Sequence, residues 1–350
     1  MSYKLKFINY RFKYIKLSDD NKAFAPILYI DKEFKTFNPQ CILFDIDGVL
    51  IDIRKSYNIV IKKTVDFILK HIIGNTVLKG IVNDDIILKF RQTGGFNNDT
   101  DTSYAIALAI LVNPQKSIRS TREFLSFIAK NVDEGGIISV EKFLTSYFHY
   151  ADIQRLKKIL VYPAPLGNSM LATVFDEFFY GSELFEKRHK IKPKYYFGKP
   201  LIENDKLLAT RTTINDITKM FGSNVAIVSG RSKIAAEYSL KPVFDVFNQR
   251  ACIFLEDEER EYSKPNPYAI KKAMKIMNSK TAIYVGDSAE DLLMVRRAEK
   301  ETDIKIAFIG VYGCSTQPTL TARQFRKIGA EAIIENINIL PNILNKVLIK

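Results

Sequence analysis

Two aspartates stand two residues apart in the run Phe44-Asp45-Ile46-Asp47-Gly48-Val49-Leu50. In extended chain they project to the same side. Paired carboxylates of this kind suit either a hard cation or a division of labour between a nucleophile and an acid/base. Gly48, directly after them, permits a tight turn or an unusual φ. A calcium loop does not fit, because its glycine would come two positions later and its twelfth position is Ser56, which is no bidentate acid.

Three further runs follow in order: Val228-Ser229-Gly230-Arg231, Ser263-Lys264-Pro265 and Gly286-Asp287-Ser288-Ala289-Glu290-Asp291. Ser229 brings a small hydroxyl to what reads as a helix start, where backbone N–H groups suit a phosphate oxygen, so Gly230 and Arg231 join it as candidate substrate contacts. A serine at such a place also serves simply as a cap. Lys264 is a point charge able to neutralise a phosphoryl group and a carboxylate nucleophile together. The acids Asp287, Glu290 and Asp291 fit Mg²⁺, which takes oxygen ligands. Acids there also favour a helix N-terminus through its dipole.

These residues need elements to hold them. From Cys41 to Asp45 the chain is apolar and ends in the acidic turn, the pattern of a buried parallel strand with functional groups at its carboxyl end. Further apolar runs at 225–228, 252–255, 281–285, 305–309 and 332–334 alternate with helical patterns, which predicts an α/β fold with a doubly wound parallel sheet. All four runs then fall at or just after strand ends, where open α/β sheets bind their ligands. Between about 55 and 205 the period is helical throughout, so an all-helical domain is inserted into the α/β domain. The division expected is an N-terminal extension over 1–38 (a strand or hairpin), an α/β core over 39–54 and 206–350, and a helical insertion over 55–205.

Within the insertion, the segment from Arg91 to Asp101 contains a Gly-Gly turn crowded with side chains that can bind hydroxyls or phosphate. Arg91, Asn97 and Asn98 are candidate substrate contacts there; a helix connection with asparagine caps is the other reading. The stretch Phe178 to Phe185 reads as helical core. His71, His149 and His189 are scattered and receive no catalytic role.

At 350 residues two domains are expected, and 47% hydrophobic content allows a packed interior. Lys and Arg outnumber Asp and Glu by 52 to 39, for a net charge of +13. No run of five basic residues and no nucleic-acid fold signature accompanies this charge, so it reads as a lysine-rich solvated surface. The basic and aromatic segment from Lys4 to Tyr14 motivates the competing reading, a nucleic-acid or phospho-ligand binding module. Cys41, Cys252 and Cys314 form no CxxC or Cys/His cluster, which suits a reduced, intracellular protein. No apolar run approaches the ~18–20 residues that cross a bilayer, nor is there a signal peptide, so a soluble, cytoplasmic monomer or homodimer without membrane partners is expected.

Taken together, the four runs resemble the haloacid dehalogenase-like (HAD) superfamily of aspartate-nucleophile phosphohydrolases over residues 41–54 and about 212–312. An insertion between the first and second motifs resembles its helical-cap subfamily I. The resemblance implies Asp45 as nucleophile, Asp47 as general acid/base, Ser229 as phosphate binder and Lys264 as charge partner. It implies Mg²⁺ held by Asp45, Asp287 and Asp291, with the Asp47 backbone carbonyl completing the shell. The activity implied is a Mg²⁺-dependent phosphatase acting on a small phosphorylated metabolite through an aspartyl-phosphate; a phosphomutase of the same fold is the alternative. Dehalogenases of this fold need no second acid at the position of Asp47. The Gly-Gly-Phe-Asn-Asn-Asp run is similar to one in a branch of the subfamily and names no substrate.

Overall fold

The six predicted strands and one further edge strand pair into one seven-stranded sheet in the computed structural model, which describes residues 29–74, 80–96, 98–113 and 117–348. The strands are β1 (Tyr29–Ile30), β2 (Cys41–Phe44), β3 (Ile51–Asp52), β4 (Lys206–Leu207), β5 (Val225–Ser229), β6 (Ile253–Phe254), β7 (Thr281–Gly286), β8 (Lys305–Val311) and β9 (Ala332–Ile334). The main sheet runs β1-β9-β8-β7-β2-β5-β6, and β3 with β4 forms a separate antiparallel ribbon. Within the main sheet only the edge pair β1–β9 is antiparallel.

β2 is central, with Phe44 in register with Ile227 of β5 on one side and Val285 of β7 on the other. All four of its residues are fully buried, as a parallel strand covered on both faces requires. The chain builds outward from β2 through β5 to β6, then crosses to β7 and continues the other way. That reversal puts a topological switch point at the carboxyl end of β2, where a ligand crevice is expected.

Two compact units result, one ending at Asp52 and resuming at Lys206, the other spanning Ile53–Asp205. The second unit carries helices α1 (Tyr57–Ile73), α2 (Asp84–Arg91), α3 (Asp99–Val112), α4 (Ile118–Asn131), α5 (Gly136–Tyr147), α6 (Tyr150–Leu160) and α7 (Met170–His189). Its core is α3, which is buried without interruption from Thr102 to Ile110 and packs against each of the other six. A helix apolar all round must sit inside. Helix α7 runs through the aromatic stretch predicted as core, burying Phe178, Phe179, Tyr180 and Phe185, but it kinks at Gly181. There φ is +62°, and a Cβ would lie 2.8 Å from the Pro200 nitrogen, so both the backbone angle and the close approach require glycine.

The first unit adds α8 (Arg211–Phe221), α9 (Lys233–Leu240), α10 (Tyr268–Ile276), α11 (Ala289–Glu301), α12 (Pro318–Lys327) and α13 (Leu340–Leu348). The predicted N-terminal strand or hairpin and the basic segment from Lys4 to Tyr14 lie outside the described residues. Residues 29–30, expected as part of an extension, instead extend the main sheet through backbone pairing with Ala332 and Ile333. Among the described residues no helix is long and apolar enough to cross a membrane.

Candidate active site

Asp45 leaves the carboxyl end of β2 with its backbone N–H donating to the Val285 carbonyl at 2.9 Å, so the residue is held by the sheet. Its own carboxylate accepts the next N–H, that of Ile46, at 2.8 Å. The chain then coils tightly: the Ile46 carbonyl accepts from Leu50 and Ile51 at 2.8 and 2.9 Å, and Ile51 enters the β3–β4 ribbon. Gly48 sits in this coil at φ +71°.

Lys264, in the loop between β6 and α10, has a fully buried side chain. Its ammonium lies 2.8 Å from Asp45 Oδ2 and 2.7 Å from Asp291 Oδ1. Burial alone would lower the lysine pKa, but Asp291 and Asp45 outweigh it and hold the ammonium charged well above its ordinary range. Asp45 is pushed up by burial; Lys264 opposes this, Asp291 reinforces it, and a hydrogen bond from Ser229 helps to hold the carboxylate form.

Asp291, on the first turn of α11, is crowded with donors. Lys264 and the Tyr284 hydroxyl meet Oδ1, while the Asp287 and Ser288 N–H groups and the Ser288 hydroxyl meet Oδ2. Ser288 returns the contact by accepting from the Asp291 N–H, a reciprocal cap on α11. A carboxylate offers about four lone-pair sites, so these donors crowd Asp291. The carboxylate of Asp287 differs: among the described residues no donor is hydrogen-bonded to it.

The two predicted phosphate contacts separate. Gly230 is exposed, whereas Arg231 is 1% exposed and points back at Asp47, its Nε 2.5 Å from Oδ1. Arg231 Nη1 also donates to the Ser239 hydroxyl at 2.9 Å. The start of α9 is occupied by acids, since the Ser232 and Lys233 N–H groups donate to Glu256 and Asp257 at 2.9 and 2.6 Å. Ser229 is fully buried at the end of β5.

The helical candidates sit in their own unit. Arg91 pairs with Asp99 at 2.7 Å and donates to the Asn58 side chain at 3.0 Å. Asn98 caps α3 by accepting from the Thr100 and Asp101 N–H groups at 2.9 and 3.1 Å. Asn97 lies outside the described residues.

Tyr284 escaped the sequence reading. Its hydroxyl lies 3.0 Å from the Val228 carbonyl and 3.1 Å from Asp291, and its one proton serves one of them at a time. Burial and Asp291 push its pKa well up, so it stays neutral. The signal was a lone polar tip in an apolar strand, two residues before Gly286-Asp287.

The donor set fits a hard divalent cation. Asp45, Asp287 and Asp291 each offer a carboxylate oxygen within 4.8 Å of the others. Asp287 is pushed well above the carboxylate range by burial and then by Asp291, Asp45 and Asp47, with Lys264 opposing. A cation removes that repulsion, and oxygen-only ligands suit Mg²⁺.

Two outcomes are expected from this geometry. A carboxyl whose folded pKa is raised binds more protons folded than unfolded. Its stabilisation is full below the unfolded value of about 3.9 and is lost as pH rises through the folded value. In EDTA, Asp287→Asn should therefore melt higher than the wild type by on the order of a few degrees at pH 8, with the gap closing toward pH 4. Mg²⁺ should raise the wild-type melting temperature more at pH 8 than at pH 5. A variant no more stable than the wild type at pH 8 in EDTA would contradict this. For Gly48→Ala, the new Cβ would lie 1.9 Å from Asp287 Oδ2, so the carboxylate must move. The Mg²⁺-induced rise in melting temperature should then disappear, alongside a loss of about 1–3 kcal/mol from the positive φ; an unchanged Mg²⁺ response would refute it.

Comparison with known proteins follows the same lines. A family model described as haloacid dehalogenase-like hydrolase matches residues 39–299. Among solved structures, a Northeast Structural Genomics Consortium target aligns with TM-score 0.57 and 18% identity, over 88% of this chain and 99% of its own. Phosphatase Tt82 from Thermococcus thioreducens aligns with TM-score 0.55 and 19% identity, again over 88% of this chain and 99% of its own. At such identities the likeness is one of fold. No curated protein matches the chain by sequence.

Proposed function

Because the chain belongs to the haloacid dehalogenase-like hydrolases, we propose that it is a Mg²⁺-dependent phosphatase that hydrolyses a small phosphorylated metabolite through an aspartyl-phosphate on Asp45. The observation that carries this reading is the buried Lys264 ammonium, 2.8 Å from Asp45 and 2.7 Å from Asp291, inside a carboxylate cluster at the end of the central strand.

Asp45 attacks phosphorus in line as the bond to the leaving oxygen breaks. Lys264 keeps its carboxylate from repelling the phosphate dianion and draws on the developing charge. The Ser229 hydroxyl and the exposed backbone at Gly230 meet phosphate oxygens. Asp47, protonated in the reacting complex, gives that proton to the leaving oxygen, then takes one from the water that attacks the aspartyl-phosphate. Asp45, Asp287, Asp291 and the Asp47 carbonyl would hold Mg²⁺, which when bound would supply further neutralisation of the phosphoryl group's negative charge.

Release of inorganic phosphate from p-nitrophenyl phosphate, measured in Mg²⁺ and in EDTA, tests the reading. Turnover should appear with Mg²⁺ and vanish with the chelator. Equal turnover in both would rule the proposal out.

A further inference from the structure

Among the described residues Arg231 is the largest of the fully buried side chains, and the sequence places it where a phosphate contact is expected. Its geometry points elsewhere. Nε meets Asp47 Oδ1 at 2.5 Å and Nη1 meets the Ser239 hydroxyl on α9 at 2.9 Å, so two edges of one rigid plane are tied down. Burying a guanidinium carries a large desolvation cost unless a carboxylate faces it. Here that carboxylate is Asp47, whose side chain remains 26% exposed. One oxygen of Asp47 is thus held from inside the protein while part of the side chain stays exposed to solvent.

We infer that Arg231 is a positioning residue: anchored through Ser239, it fixes the orientation of the Asp47 carboxylate so that its solvent-exposed part addresses the leaving oxygen. Arg231 touches no substrate in this role. The inference rests on the phosphatase reading above, in which Asp47 is the proton donor. A planar guanidinium with fixed donor directions can set a carboxylate's rotamer, which a lysine's rotating ammonium cannot do equally well. Proton delivery matters most when the leaving oxygen is strongly basic, because a weakly basic one departs unaided.

The test compares kcat/KM for phenyl phosphate, a poor leaving group, with that for p-nitrophenyl phosphate, a good one, in Mg²⁺. Wild type, Asp47→Asn, Arg231→Gln, Arg231→Lys and the double variant Asp47→Asn/Arg231→Gln are measured. General acid catalysis contributes about 10²–10⁴-fold, so Arg231→Gln should lose about 100-fold on phenyl phosphate, chiefly in kcat, and at least tenfold less on p-nitrophenyl phosphate. Arg231→Lys should show the same bias in weaker form. Added to Asp47→Asn, Arg231→Gln should cost less than about threefold more, since both changes disable one function.

Equal losses on the two esters with a raised KM would assign Arg231 to the phosphate and overturn the inference, as would losses that multiply in the double variant. Should Arg231→Gln not fold, Arg231→Lys, which keeps the buried charge, decides alone: a folded Lys variant with the wild-type ratio between the esters overturns the inference. An inactive wild type would sink the phosphatase reading and this inference with it. A wild type that Asp45→Asn silences, beside Arg231 variants with an unchanged ester ratio, would remove the Arg231 assignment alone.

Discussion

Asp45→Asn should lower phosphate release by about 10³-fold or more while leaving the fold intact. The amide is nearly the same shape as the carboxylate but cannot form the acyl-phosphate, and removing a covalent nucleophile costs about as much as removing the whole catalytic set. Stability should hold or rise. The substitution deprives Lys264 of one partner but leaves Asp291 at 2.7 Å, and it takes one negative charge out of a cluster where burial already opposes ionisation of Asp45. Phosphate release at saturating Mg²⁺ together with a melting curve checks both halves. Residual activity above about one part in a hundred of the wild type in a well-folded variant would exclude Asp45 as nucleophile.

Lys264→Met is expected to have the largest effect on stability. The side chain is fully buried and answers two carboxylates at once, Asp45 and Asp291. Removing one partner from a buried ion pair leaves an uncompensated charge and costs about 3–5 kcal/mol. Three carboxylates would then face each other without their internal cation, so each would hold protons more tightly. The deficit should therefore shrink as pH falls and the carboxyls protonate, and Mg²⁺ should recover part of it at pH 8. Catalysis should drop at least about 100-fold even where the fold survives, because the counter-charge to the nucleophile is gone. Denaturant melts at pH 5 and pH 8, with and without Mg²⁺, give the comparison. A stability loss below about 1 kcal/mol at pH 8 would mean that Lys264 is not the counter-ion of this cluster.

Much of the site could be read from the chain because its parts are local. Asp45, Asp47 and Gly48 are consecutive or nearly so, and an apolar run before them announces a buried strand. Asp287, Ser288 and Asp291 lie within one helical turn, so the cap they form is a property of spacing. The helical unit was legible for the same reason: α3 is buried along nine consecutive positions, and its alanine- and isoleucine-rich run shows it. Asn98 illustrates the limit. Its type suited either a ligand or a cap, and the cap is what the structure displays.

Arg231 illustrates the opposite case. Its partner Asp47 lies 184 residues away in sequence, and nothing in the Ser-Gly-Arg run points to it. Tyr284 was equally opaque, since its contact with the Val228 carbonyl bridges strands on either side of β2, and their order is not written in either segment.

The sequence by itself determined the element types, the insertion of a helical unit after the first motif, and the chemical identities gathered at the strand ends, because periodicity and residue type act over a few residues. Only the tertiary structure decided which of those groups face one another: that Lys264 bridges Asp45 and Asp291, that donors crowd Asp291 while none among the described residues is hydrogen-bonded to the Asp287 carboxylate, and that Arg231 turns inward to Asp47. The physical reason is that pairing across a parallel sheet is set by long-range strand order and burial. A buried charge then takes whichever opposite charge that order delivers within about 3 Å.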